Sequence, residues 1–170
     1  MLFGLAAISS ICLAATLFVP DGIPPRSAIG ARVRGATPAV NTMLANGVRR
    51  SSTLARLVKD INETDLIVYV EMTSDLPAGL DGRLTFMTAA GGSRYLRVQV
   101  PTNVGKDDLL AVIGHELQHA MEVAENPSVD SSEALGVLYR RIGLQGLSLD
   151  RFDTAAARSI GRRVRAELMN

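Results

Sequence analysis

A chain of 170 residues that is 47% hydrophobic can build the core of one ordinary domain. Its net charge of +1 argues against nucleic-acid binding through phosphate neutralisation, and 4% aromatic content without Trp argues against a base-stacking platform. The one cysteine, Cys12, excludes an intrachain disulfide and a cysteine-built zinc site in the body of the chain.

Leu2 to Val19 is apolar apart from small hydroxyl residues, and Pro20-Asp21-Gly22 breaks it. Its length lies between a signal-peptide core and a short membrane span, and it lacks the polar face of a buried core helix. Residues 1–20 are therefore expected to be a signal peptide or an N-terminal membrane anchor acting through residues 2–19. Either one implies export, with the protein periplasmic, secreted or anchored outside the cytoplasm. Residues 21–37, rich in Pro, Gly and Arg, read as a linker.

The folded domain is expected over residues 38–170. Thr37 and Pro38 supply a cap and a first helical position for a helix running to Asn62. Asn46-Gly47 is a possible break in it, and Ser51-Ser52-Thr53 a possible restart. Asp65 to Met72 is β-like, Asp75 to Gly82 is a loop, and Arg83 to Ala89 is a second strand. Arg94 to Val100 is a third strand. The Gly-rich turn between the last two makes them an antiparallel hairpin. Lys106 to Glu125 is the clearest helix, with Asp107 and Asp108 at its positive end and Asn126-Pro127 after it. Ser131 or Ser132 caps a further helix to about Arg141. Asp150 or Asp153 opens a last helix whose arginines form a solvated face. The pattern predicts an α+β fold, with a small, mainly antiparallel sheet packed against helices.

The only two histidines, His115 and His119, lie four residues apart on the clearest helix. That spacing puts both imidazoles on one face, where they can direct nitrogens to one point, and Zn²⁺ accepts such donors. Glu116 is about 100° further round the helix. It is placed to take a proton from a metal-bound water and to pass it to a leaving amine.

His115-Glu116-Leu117-Gln118-His119 resembles the H-E-x-x-H pattern of zincin metallopeptidases. The wider stretch VIGHELQHAMEVAENPSV, with VYVEM before it and FDTAAAR after it, resembles a group of small exported bacterial proteins. The zincin resemblance implies a zinc-dependent peptidase acting on peptide or protein substrates, with Glu116 as the catalytic base. It also implies an edge strand along the substrate cleft before the active-site helix. Arg94–Val100 holds that place, making Arg94 and Arg97 the substrate-strand candidates.

A catalytic zinc site needs a third protein ligand, and no third His exists. The resemblance is therefore to the gluzincin type, which takes a Glu from a following helix. Glu133 is the expected third ligand. Glu122 is an alternative, or a group that orients His119. Asp130 and Glu125 are further possibilities. An oxyanion stabiliser is expected too: Tyr139 is a candidate whose expected role is rather core packing, and Arg94, Arg97 and Arg140 are unranked alternatives. Two other readings stay open: a non-catalytic, membrane-tethered zinc-binding module, and a metal-free periplasmic interaction domain.

Overall fold

The computed structural model describes residues 32–144 and 153–170. Its elements run β1 (Val33–Gly35), α1 (Pro38–Arg50), α2 (Ser52–Asn62), β2 (Leu66–Thr73), β3 (Arg83–Ala90), β4 (Ser93–Pro101), α3 (Lys106–Ala124), α4 (Ser132–Ile142) and α5 (Ala155–Met169). The leader expected at residues 1–20 lies outside the described residues, as does most of the expected linker. No helix among the described residues is long and apolar enough to cross a membrane.

Hydroxyl side chains set four of the helix starts. Thr37, Ser51, Ser131 and Thr154 each accept a bond from an N–H three residues on, satisfying a donor the helix cannot pair itself. The cap of α5 is thus Thr154, not Asp150 or Asp153. The break between α1 and α2 falls at Ser51 and not at Asn46-Gly47. Gly47 stays helical and buried because its bare backbone lets Leu110 and Leu54 approach. A Cβ there would sit 2.6 Å from a Leu110 methyl and 2.8 Å from one of Leu54.

The fold is α+β, but its sheet is mixed and not mainly antiparallel. The strand order is β1-β2-β4-β3. β1 pairs parallel with β2, β2 pairs parallel with β4, and β3 pairs antiparallel with β4. The α1–α2 pair supplies the helical crossover that a parallel β1–β2 neighbour requires. The β3–β4 hairpin forms as expected. Gly91 and Gly92 both take positive φ, 57° and 74°, as a two-residue hairpin turn demands. That hairpin then inserts β4 between β3 and β2. Arg94–Val100 is therefore an interior strand with both edges paired, and β3 holds the free edge on that side. β1 belongs to the sheet as well, so the domain begins no later than Val33 and takes in part of the expected linker.

Alternate residues of β2 (Leu66, Val68, Val70) and β4 (Leu96, Val98, Val100) are fully buried. They join Leu110, Ile113 and Leu117 of α3 in a single core. α3 also packs closely along α5, through glycines on both helices. A Cβ on Gly114 would fall 2.8 Å from Val164, and one on Gly161 would fall 3.3 Å from the His115 Cβ. This contact carries the start of α5 to the histidine face of α3.

Candidate metal centre

His115 and His119 converge as their spacing predicts. Their Nε2 atoms lie 3.2 Å apart, and the rings meet edge to face. Two nitrogens each about 2.0–2.1 Å from a tetrahedral Zn²⁺ would stand about 3.3–3.4 Å apart, close to that separation.

His119 is held on three sides. Its Nδ1 lies 2.8 Å from Glu122 Oε2, which fixes the proton on Nδ1 and leaves the Nε2 lone pair facing His115. Tyr139 donates to the His119 carbonyl at 3.2 Å and packs its ring against the imidazole. Thr154 donates to the other Glu122 oxygen at 2.6 Å. Glu122 therefore orients His119, as one of its two expected roles required, and its bonds hold both oxygens away from the Nε2 pair. Burial, with the nearby Glu122 and Glu116 charges, pushes the Tyr139 hydroxyl pKa up. Tyr139 supports the His119 backbone and ring.

The carboxylate brought to the histidines is Asp153. Ligand atoms of His115, His119 and Asp153 all lie within 4.8 Å of one another, so the three can hold a metal ion. Arg158 Nε binds Asp153 Oδ2 at 2.5 Å. Oδ1 is buried without a hydrogen bond, and His115 Nε2 stands 3.5 Å from it. An unpaired buried carboxylate oxygen facing two imidazole nitrogens is costly unless a cation or a proton completes it. Two imidazoles and one carboxylate fit a divalent ion and leave further coordination positions open.

Glu133, the expected third ligand, is exposed at the first turn of α4 and takes no part in this cluster. Its place is that of a carboxylate at a positive helix end. Asp130 and Glu125 are also exposed and outside the cluster. Asp153 lies just before α5, and nothing in the local sequence pattern pairs it with α3. The signal was tertiary, since glycine-mediated packing of α5 on α3 makes the contact.

Burial pushes the Glu116 carboxyl up to about 7, the His119 charge opposes this, and Asp153 adds to it. The Leu84 N–H of β3 donates to the carboxylate. Gly82 packs against it so tightly that a Cβ would fall 2.6 Å from Oε1. Burial and the neighbouring His119 hold His115 below the ordinary imidazole range. Burial lowers His119 too, but the Glu122 bond and the charges of Glu116, Glu122 and Asp153 outweigh it and raise it. His115 is thus the more readily neutral of the two imidazoles, and a cation would compete with protonation more strongly at His119.

A cleft of about 430 Å³ opens over these groups, between the Gly79–Gly82 loop, α3 and the face of α5 that carries Arg158, Arg162 and Arg165. His115, Glu116 and Asp153 all line it. The substrate-strand candidates lie elsewhere. Arg94 is buried, pairs with Asp65 at 2.7 Å, and donates to the carbonyls of Val123, Asn126 and Val129, closing the end of α3. Arg97 bonds Thr85 and pairs with Glu71 across the sheet. Arg140 is exposed on α4 and does not line the cleft. The chain matches no protein-family model, no curated protein and no solved structure.

Proposed function

We propose that the protein is an exported zinc-dependent peptidase with His115, His119 and Asp153 as its metal ligands and Glu116 as its general base. The observation that carries this is the meeting of three ligand atoms with a buried carboxyl titrating near 7 at the floor of an open cleft. A Zn²⁺ ion there would act as a Lewis acid and lower the pKa of a water in its open position.

The chain's own residues do the rest. Glu116 accepts the proton of the attacking water, and a base titrating near neutral pH is suited to return it to the leaving amine. The Leu84 N–H keeps its carboxylate turned toward the cleft side of α3. Glu122, fixed by Thr154, keeps His119 in the tautomer that offers Nε2. β3 is the edge strand beside Gly82, the place first expected of Arg94–Val100, and its Leu84 N–H and Phe86 carbonyl are already bonded to Glu116 and Ser132. The zincin-like H-E-x-x-H pattern supports the same reading, and the apolar run at residues 2–19 supports export.

The donor set also suits Fe²⁺, so metal identity is measured first. Elemental analysis of chain purified without chelator or His tag is expected to give about one zinc per chain. Metal-dependent cleavage is expected in a broad peptide library, and Glu116→Gln should abolish it while zinc stays bound. Zinc without cleavage of any peptide would leave the metal-binding module. Iron in place of zinc, or equal activity in Glu116→Gln, would overturn the proposed chemistry.

A further inference from the structure

One wall of the cleft is cationic. Arg158, Arg162 and Arg165 all line it, at spacings that put them along one face of α5. Two of them are already matched with acids. Arg158 binds Asp153, and Arg165 Nη2 lies 3.1 Å from Asp108 Oδ1. Arg162, between them, has no ion pair or hydrogen bond among the described residues. The wall's unbalanced positive charge is therefore at Arg162. The residue before it, Gly161, is the one pressed against His115. That places Arg162 in the same cleft as the metal ligands, one residue along α5 from their contact. Across the cleft, the Gly79–Gly82 loop carries the exposed Asp81, so the two walls have opposite sign.

We propose that Arg162 sets substrate specificity by receiving a carboxylate of the bound peptide, from an acidic side chain or a free C-terminus near the cleaved bond. This rests on the peptidase reading above. A guanidinium presents a planar fork of donors that matches a carboxylate with two parallel bonds. Arg162 enters that pairing without first breaking an ion pair within the described chain, unlike Arg158 and Arg165. Exchange of either neighbour would also free Asp153 or Asp108, so Arg162 is the position where preference changes without disturbing the metal ligands. Asp81 on the facing loop disfavours an acid placed on that side, which gives the cleft a direction.

The test uses zinc-loaded full-length chain and synthetic octapeptides carrying a single Glu, Ala or Lys at each position in turn, with free or amidated C-termini. Binding is read by fluorescence anisotropy on the Glu116→Gln chain, and cleavage by mass spectrometry on the chain with Glu116 intact. Peptides with Glu at one or two positions, or with a free C-terminus, should bind and be cleaved at least tenfold better than their Ala or amidated counterparts. The comparison of the two sets tells side chain from terminus. Arg162→Ala should erase the preference, and Arg162→Glu should turn it toward Lys, with zinc content and melting temperature unchanged in both. Cleavage with equal preference for Glu, Ala and Lys would overturn this inference and leave the peptidase reading standing. Binding of acidic peptides that depends on Arg162, with no cleavage, would keep the carboxylate site and overturn the peptidase reading. Neither binding nor cleavage would overturn both.

Discussion

Asp153 and Glu133 are both carboxylates near the start of a helix, yet only Asp153 has an oxygen left unpaired in a buried place. In the proposed site, removing it takes away a ligand, and removing Glu133 takes away a solvated surface charge. Asp153→Ala should weaken zinc binding by more than the roughly 10–100-fold typical of lost outer partners, and Glu122→Ala should fall within that range. Glu133→Ala should leave affinity unchanged, as chelator competition would show. A large loss for Glu133→Ala would restore it as the ligand. Glu116 makes a second prediction, on stability. Its folded pKa of about 7 lies above the ordinary value of 4.5, so its stabilising contribution is complete below about 4.5 and is lost as pH rises through 7. In metal-free protein at pH 8, Glu116→Gln should therefore stabilise the fold, by about 3 kcal/mol at most, and the gain should vanish near pH 5. Denaturant melts at the two pH values check this. A variant equally stable or destabilised at pH 8 would mean that the carboxylate is not strained by its burial.

The site is assembled from three elements: α3 supplies the imidazoles and Glu116, the entry to α5 supplies Asp153, and the loop into β3 closes over Glu116. Gly82 is the tightest point of that closure, with a Cβ there falling 2.6 Å from Glu116 Oε1 and 2.7 Å from Val112. Gly82→Ala should push the Glu116 side chain out of place, because its end is the movable partner. Peptide cleavage should then drop at least tenfold while zinc stoichiometry holds, and unchanged cleavage would show that the loop does not position the base. These elements were unequally legible in the sequence. The His115/Glu116/His119 set was readable because one helix period fixes all three. The hairpin was readable because Gly91-Gly92 marks a two-residue turn. Sheet order was not, since alternation in β2 and β4 reveals strands but not which neighbours they choose. That is why Arg94–Val100 looked like an edge. Asp153 was hidden for a related reason: its approach to α3 depends on the glycine-mediated fit of α5, which no local pattern encodes.

Across the whole molecule, α5 is fastened at both ends, and the Thr154–Glu122 bond beside the histidines is only one of the fastenings. At the far end Glu167 accepts bonds from the Ser51 hydroxyl at 2.5 Å, the Thr53 hydroxyl at 2.7 Å and the Thr53 N–H at 3.0 Å, at the start of α2. Arg50 reinforces this end by donating to the Leu168 carbonyl and pairing with Asp107 of α3. Burial alone would raise the Glu167 carboxyl, but the hydroxyl and N–H donors of Ser51, Thr53 and Ser52 outweigh it and hold it down to about 2. A depressed folded pKa contributes stability that is present above about 4.5 and is lost as pH falls toward 2. Glu167→Ala should thus cost about 1.5–3 kcal/mol at pH 7, the range for hydrogen bonds to a charged group, and much less near pH 2. Asp153 lies at the opposite end of the same helix, so the variant should also bind zinc more weakly, because a looser α5 holds that carboxylate less firmly against the histidines. Denaturant melts from pH 2 to 7, paired with chelator competition at pH 7, separate the two effects. Lower stability with unchanged zinc affinity would mean that packing of Gly161 and Val164 against α3 positions Asp153 without help from the far anchor.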